Sequence, residues 1–242
     1  MLRSSRFIMG CPVRATDGPG GSVVDLLFED AIWTVRWAVV ETGSWLYERR
    51  VLVPPQRLVP ADSHADAFAI PLTCAQVEAS PPEESDLPVS RRYEQMLFAH
   101  YQWDPYWTGG GLLGVGLPPQ IEPSTDVEPP KGDDHLRSVR HVKGAAVRTR
   151  DGEIGHVVDL LVDPQDWTIP LIEIATRNWL PGHKVVVSSD LVAAIDWYRP
   201  CVTVRQSRAE LEACPRYRRS MTDDRGRLRR LFSHFGLPTD RI

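Results

Sequence analysis

Apolar and polar residues alternate in two stretches of the chain that have nearly the same sequence. These stretches are "VDLLF" at residues 24–28 and "VDLLV" at residues 158–162. Because successive side chains of a β-strand point to opposite faces, apolar residues at every second position predict a strand with one apolar face. The same alternation places Asp25 and Asp159 on the other face of each strand.

Further β-branched and aromatic runs follow each of these stretches. "WTVRWAVVE" and "WTIPLIEIA" come next, then "RRVLVPP" and "HKVVVSS", and finally "FAIPLT" and "VTVRQS". Such runs favour strands, and the Asp-Gly pairs at 17–18 and 151–152 are typical of hairpin turns. Pro170 has no N–H to donate, so its strand is expected to lie at a sheet edge or to carry a bulge. Several short strands separated by turns predict a small barrel or sandwich.

The C-terminal region has helical spacing. Leu228, Leu231, Phe232 and Phe235 lie at positions i, i+3, i+4 and i+7, which gives one apolar stripe on an α-helix. The segment "LFAHY" at 97–101 resembles this region. We therefore expect two short amphipathic helices, each docked on the strands that precede it.

The two halves of the chain are copies of one another. "DGPGGSVVDLLFED" begins at Asp17 and "DGEIGHVVDLLVD" at Asp151, and this offset of 134 residues holds without a gap over residues 2–81. Roughly a third of these positions are identical, which is too many for chance at one fixed register. The prediction is a tandem duplication, with units at 1–104 and 136–242 and a Pro- and Gly-rich linker at 105–135.

The composition is that of an ordinary globular protein. The 242 residues suffice for two small domains with cores of their own. The formal net charge of −4 provides no general field that would attract nucleic acid or anionic lipid. The longest weakly polar stretch, "WTGGGLLGVGL", is too short to span a bilayer, so we expect no membrane segment.

The four cysteines indicate a reducing compartment. Cys11, Cys74, Cys201 and Cys214 form no C-x-x-C pair, and no Cys/His cluster has the spacing of a zinc site. Unpaired thiols are typical of a reducing environment. We therefore predict a cytoplasmic protein with no metal and no cofactor.

The repeated pattern resembles the PRC-barrel domain, which is named after the cytoplasmic part of the photosynthetic reaction centre H subunit. It also resembles the C-terminal half of a ribosome-maturation factor. The matching residues in the second copy are Asp151, Gly152, Gly155, Val157, Asp159, Trp167, Trp179, Leu180, Pro181, Gly182, Lys184 and Ser188, and those in the first are Asp17, Gly18, Gly21, Asp25, Trp33, Trp45 and Leu46. The first copy departs from the pattern at "YERR", where Pro-Gly-x-Lys is expected. The segment from "SPPEESDL" to "WDPYW" resembles the tail of stand-alone bacterial tandem PRC-barrel proteins.

This resemblance implies a mainly β protein made of two small PRC-barrel-like β-barrels, each followed by a short amphipathic helix. It implies no particular chemistry, because one fold hosts many functions. A role like that of the reaction-centre subunit would rest on the domain resemblance alone.

The carboxylate-rich stretch that begins at Asp151 is interpreted as scaffold. It lacks the spacing of a calcium loop, and a strand rather than a helix follows its glycines, which argues against a phosphate loop. Glu153 and His156 are Pro19 and Ser22 in the first copy. The matched Asp25 and Asp159 have no matched His, Ser or Cys partner to make them general bases. The scaffold residues shared by both copies are Asp17, Gly18, Gly21, Asp25, Trp33, Trp45, Asp151, Gly152, Gly155, Asp159, Trp167 and Trp179.

Two segments that differ between the copies are candidates for an interaction surface. The first is an aromatic cluster where unit one meets the linker; exposed aromatics mark interfaces, whereas docking onto the same chain is the slightly favoured alternative. The second is an arginine-rich segment near the C-terminus, which suits phosphate contacts or forms the solvated face of a helix. The candidate residues are Trp103, Tyr106, Trp107, Arg225, Arg229 and Arg230.

The sequence therefore favours a non-enzymatic protein–protein interaction or assembly module with an unidentified protein partner. The two units are expected to pack with pseudo-two-fold symmetry, as duplicated protomers do. The alternative is a factor that binds RNA or the ribosome through its C-terminal arginines. An enzyme would need convergent titratable groups, and the copies share none.

Overall fold

A computed structural model describes residues 2–42, 49–61, 66–81, 89, 91–106, 136–176, 183–214 and 225–234. In the first copy the elements are β1 (Arg3–Ser4), α1 (Ser5–Ile8), β2 (Pro12–Arg14), β3 (Pro19–Glu29), β4 (Thr34–Thr42), β5 (Arg49–Val53), β6 (Val59–Pro60), β7 (Phe68–Ala69), α2 (Cys74–Glu78) and α3 (Arg91–Tyr101). In the second copy they are β8 (Leu136–Ser138), α4 (Val139–Val142), β9 (Ala146–Thr149), β10 (Gly152–Val162), β11 (Leu171–Thr176), β12 (His183–Ser188), β13 (Val192–Asp196), β14 (Cys201–Val204), α5 (Arg208–Glu212) and α6 (Arg225–His234). The elements follow the same order in both copies.

The strands form two similar seven-stranded sheets, so the described chain is mainly β as expected. The first sheet has the order β5-β4-β3-β2-β7-β6, and the second has the order β12-β11-β10-β9-β14-β13. The pairs β2–β7 and β9–β14 are parallel, and the other pairs are antiparallel. The predicted Asp-Gly hairpins connect β2 to β3 and β9 to β10.

The expected barrels are not closed among the described strands. In the second sheet, β12 and β13 lie at the two ends of the strand order although they are neighbours in sequence. A 3₁₀ turn at Ser189–Leu191 connects them, and the Ser188 hydroxyl accepts a hydrogen bond from the Asp190 N–H (3.2 Å). The strands on either side of this turn do not pair with each other, so each described sheet ends in open edges.

Each sheet takes its seventh strand from the other copy. β1 pairs with β10 through Arg3 opposite Val162, and β8 pairs with β3 through Arg137 opposite Phe28. The short helices that follow these two strands are carried along with them, and α1 packs on β10 while α4 packs on β3. The two copies thus exchange their N-terminal segments around a pseudo-two-fold axis.

The two long strands do not alternate strictly. The pairing register shifts by one residue between Val157 and Asp159, and at the matched position between Val23 and Asp25. A β-bulge of this kind leaves one residue without a partner and changes which residues share a face. The expected apolar face at every second residue is therefore wrong at this point, because Val158 is the bulged residue and Asp159 lies directly opposite Glu173.

The helix that follows the strands in each copy docks by aromatic residues. In the first copy, the Phe98 ring on α3 lies 5.0 Å from the ring of Trp37 on β4. In the second copy, the matched Phe232 on α6 is buried. Pro170 does not lie within a strand, since β11 begins at the next residue and occupies an interior position of its sheet. Of the two alternatives for Pro170, the edge position is wrong; as for the bulge, the matched residue of the first copy, Arg36, lies at a register shift between β3 and β4.

Candidate functional site

A cleft lies where the two copies meet. Its volume is about 380 Å³, within the range of pockets that hold small ligands or side chains. One wall is the turn between β3 and β4, residues 30–33, and the other is formed by β13 with its flanking residues. Since each wall comes from a different copy, the cleft exists only in the joined molecule.

Two tryptophans at matched positions join the two copies beside the cleft. Trp33 and Trp167 have φ angles of 51° and 60°, in the left-handed region that non-glycine residues seldom adopt. The Val35 N–H donates to the Trp167 carbonyl (2.8 Å), and the Ile169 N–H donates to the Trp33 carbonyl (2.7 Å). Thr34 also forms an antiparallel bridge with Thr168. Reciprocal hydrogen bonds of this kind fix the two turns against each other and stabilise their unusual backbone.

The polar end of the cleft is organised by one carboxylate. Asp30 Oδ2 accepts hydrogen bonds from Trp197 Nε1 (3.0 Å) and Arg137 Nε (3.4 Å). The Arg137 guanidinium also lies 4.7 Å from the centre of the Trp197 ring, a cation–π geometry. The buried Phe28 ring stacks on that of Trp33, with the two ring centres 5.3 Å apart. These contacts position Trp197 without covering it, since it is only half-buried.

The remaining polar side chains of the cleft are one carboxylate, one guanidinium and one hydroxyl. Asp190 is exposed, and its carbonyl accepts a hydrogen bond from the Arg205 guanidinium (3.4 Å). Ile32 exposes 52% of its surface to solvent at the opposite wall. The residues that line the cleft include no histidine or cysteine, and their one hydroxyl side chain is that of Ser189. The cleft thus offers apolar side chains within a mainly polar accessible surface that includes two carboxylates and one guanidinium.

The matched aspartates of the two turns act as helix caps. The Asp17 carboxylate accepts a hydrogen bond from the Cys74 N–H, and the Asp151 carboxylate accepts one from the Arg208 N–H, both at 2.7 Å. These N–H groups belong to the first residues of α2 and α5, where helices have free donors. The hydrogen bonds lower the pKa of the exposed Asp17. These two residues therefore anchor short helices and lie outside the cleft.

The matched strand aspartates connect the two copies. The Ser138 hydroxyl and the Arg140 N–H from the second copy donate to Asp25. The hydroxyls of Ser4 and Ser5 from the first copy donate to Asp159. Each carboxylate thus receives the N-terminal segment that the other copy contributes.

The pKa values of these two carboxyl groups shift in opposite directions. Burial raises the pKa of Asp25, and its hydrogen bonds compensate only in part. Burial acts in the same direction on Asp159, but the hydroxyls of Ser4 and Ser5 and the charge of Lys143, at 3.7 Å, lower its pKa overall. The two matched aspartates therefore differ in their electrostatic surroundings, although they occupy equivalent positions in the two copies.

The matched glycines allow a close approach of strands. A Cβ atom on Gly155 would lie 1.8 Å from the Ala175 carbonyl oxygen, and one on Gly21 would lie 2.2 Å from the Glu41 carbonyl oxygen. Gly18 and Gly152 belong to the hairpin turns. The glycines at these positions thus serve the close approach of strands and the turns of the backbone.

The aromatic cluster at the end of unit one packs on its own sheet. The Arg57 guanidinium lies 5.1 Å from the ring centre of Trp103. The Tyr106 hydroxyl donates to the buried Glu94 (3.0 Å), and the Arg36 guanidinium lies 4.0 Å from the Tyr106 ring centre. Both aromatic residues are half-buried. Intramolecular docking, the alternative that the sequence slightly favoured, accounts for these contacts.

Several predicted positions are only partly described. Arg229 and Arg230 are exposed on α6, and Arg225 begins that helix. Trp45, Trp107 and Trp179 lie outside the described residues. Glu153 is exposed, and His156 is half-buried with its Nδ1 atom buried and without a hydrogen-bond partner.

Within the described ranges, no group of three or more His, Cys, Asp or Glu side chains is arranged to hold a metal ion. No helix in the same part of the chain is long and apolar enough to cross a membrane.

Sequence reasoning did not find the residues that form the cleft. The positions of Trp197 and Arg205 are occupied by Ser63 and Pro71 in the first copy. The available signal was therefore that only the second copy carries a bulky side chain at these positions. The residues shared by both copies indicated the scaffold and not the cleft. Asp30 had no signal of its own, because its role depends on a partner 167 residues away.

In comparisons with known proteins, no protein-family model matches this chain, and no curated protein matches it significantly.

Proposed function

We propose that this protein is a non-enzymatic module for protein–protein interaction or assembly. The observation that carries the proposal is the cleft between the copies, which combines apolar side chains with a mainly polar accessible surface and a few charged groups, and whose lining includes no histidine or cysteine. Interfaces commonly place apolar anchors beside polar rims. The cleft requires the tandem duplication, because neither copy forms it alone.

We also propose that each unit is a PRC-barrel-like domain. The repeated D-G-x-x-G pattern supports this assignment, as do the order of short strands and the helix that follows them in each copy. The four cysteines are free thiols, which is consistent with the cytoplasmic location we propose.

The test of the main proposal is affinity capture with the full chain as bait, with and without nuclease. A protein partner that survives nuclease, and that binds again when both proteins are purified, is the expected result. Loss of every partner after nuclease treatment would contradict the proposal.

RNA or ribosome binding is the second candidate function, and the exposure of Arg229 and Arg230 favours it. Phe232 on the same helix is buried, so α6 docks by its apolar side and leaves these arginines to solvent. Binding through phosphate contacts must weaken steeply as salt rises. Affinity for purified ribosomes or RNA that does not change with salt would exclude this candidate.

A further inference from the structure

The edge of β13 borders the whole length of the cleft. Four consecutive residues, Val192, Ala193, Ala194 and Ile195, line it. A cleft that contacts four consecutive residues follows the strand along its length, and the bulge at Ala193 interrupts the strict alternation of these side chains between two faces. Its wall on this side is therefore β13.

That edge has unpaired backbone groups. β13 pairs with β14 on one side, and among the described residues no strand pairs with it on the other. Proteins usually protect an open edge with proline, lysine, a bulge or a very short strand. The matched strand β6 follows this rule, since it has two residues and one of them is Pro60. β13 has five residues with neither proline nor lysine, and its one irregularity is a bulge at Ala193.

The edge faces the other wall of the cleft, which selects the kind of partner that fits. The turn at residues 30–33 forms that wall, with Ile32 exposed towards solvent. Ala193 and Ala194 are exposed, so a chain that enters the cleft can reach the edge. A single extended segment is narrow enough to lie between the two walls and to add as a further strand, a common mode of peptide recognition.

Charge indicates the composition of that segment. The charged residues that line the cleft are Asp30, Asp190 and Arg205, so acids outnumber bases. Arg137 reduces the charge of Asp30, whereas Asp190 forms no ion pair among the described residues. Basic side chains in the segment would find the Asp190 carboxylate, and apolar ones would pack on Ile32 and Trp197.

We propose that β13 accepts an extended segment of a partner protein, rich in β-branched and basic residues, as an additional antiparallel or parallel strand. This proposal rests on the proposed interaction function and names the site and the partner chemistry for it.

The test uses the full chain and a fluorescein-labelled heptapeptide, Thr-Lys-Val-Thr-Val-Lys-Thr, with blocked ends. Two matched peptides accompany it: one has N-methyl groups on alternate amides, and the other has Glu in place of Lys. Anisotropy gives the affinities, and hydrogen–deuterium exchange reports protection of residues 192–196. The variant Ala193→Arg obstructs the edge, and Val59→Arg makes the matched change at the exposed edge of β6.

We expect saturable binding of the Lys peptide with new protection of the β13 amides. N-methylation and Ala193→Arg should each weaken binding about tenfold or more, as loss of a central contact does, while Val59→Arg leaves it within about twofold. The Glu peptide should bind more weakly than the Lys peptide. Thermal unfolding of both variants checks that the fold is intact.

Three results would overturn the proposal. They are equal binding to the wild type and the Ala193→Arg variant, no saturation by the Lys peptide at millimolar concentration, and amides of residues 192–196 already protected in the free chain. Self-association that Ala193→Arg abolishes would also overturn it, in favour of a second copy as the occupant. A nuclease-resistant partner captured equally by wild type and Ala193→Arg would leave the interaction function standing and reject only this site.

Discussion

Replacing each strand aspartate by asparagine should affect stability very differently in the two copies. Asparagine keeps the size of aspartate and can accept and donate hydrogen bonds, but it carries no charge. The structure surrounds Asp159 with groups that favour a charge, whereas Asp25 has fewer of them. We therefore expect Asp159→Asn to destabilise the protein clearly at pH 7 and Asp25→Asn to have little effect.

The magnitude follows from the two groups that differ. Ser5 and Lys143 act on Asp159, and the matched positions near Asp25 are Val139 and Met9. A hydrogen bond to a charged group contributes about 1.5–3 kcal/mol, so Asp159→Asn should cost about 2 kcal/mol and lower Tm by roughly 4–8 °C. Because Asp25 has a raised pKa, its charged form is disfavoured in the fold, and Asp25→Asn should change stability by less than about 0.5 kcal/mol.

The two aspartates also have opposite pH dependence. The pKa of Asp159 is lowered on folding, so its contribution to stability is present above the unfolded pKa of about 4 and is lost as pH falls below it. The pKa of Asp25 is raised, so its contribution is present below about pH 4 and is lost as pH rises through the folded value. The cost of Asp159→Asn should therefore shrink towards pH 3.5.

Urea unfolding followed by tryptophan fluorescence, from pH 3.5 to pH 7.5, measures both effects. Lys143→Met introduces the residue of the first copy and should reproduce part of the Asp159→Asn cost. Equal costs for the two asparagine variants at pH 7 would refute the reasoning, as would an Asp159→Asn cost that persists undiminished at the lowest pH.

Three further predictions concern packing and thiol reactivity. Glu173→Val should raise stability by roughly 1–2 kcal/mol in urea unfolding, because the buried Glu173 has one oxygen without a partner and an ion pair only to the half-exposed Lys184; a loss of stability would show that the charge is needed. Gly155→Ala should cost roughly 3 kcal/mol or more, since its Cβ would overlap a carbonyl oxygen, whereas Gly18→Ala, with its nearest contact at 3.5 Å, should be tolerated; similar thermal shifts for both variants would contradict this. Burial raises the pKa of the Cys214 thiol to about 12, so it should resist alkylation at pH 8 until the protein unfolds; rapid labelling of Cys214 by mass spectrometry in the native protein would contradict its burial.

Much of the fold follows from local sequence signals. The strands, the two Asp-Gly hairpins and the terminal helices lie where alternation, turn residues and helical spacing predict them. The bulges at Val24 and Val158 were not predictable in the same way, because alternation cannot show where one residue lacks a partner. The aromatic side chains of Trp103 and Tyr106 gave a signal for packing but could not show which surface they cover.

The sequence by itself determined that the chain consists of two copies of one mainly β unit, because strand and turn signals repeat without a gap at one fixed offset of 134 residues. Only the tertiary structure decided how the copies join. Arg3 and Arg137 occupy matched positions, so the same residues would suit pairing with either copy's long strand, and no local signal distinguishes exchange from pairing within a copy. The choice is made by long-range hydrogen bonds, such as those from Ser4 to Asp159 and from Ser138 to Asp25. The cleft is connected to that choice, because Arg137 on the exchanged strand β8 donates a hydrogen bond to Asp30 in one wall of the cleft.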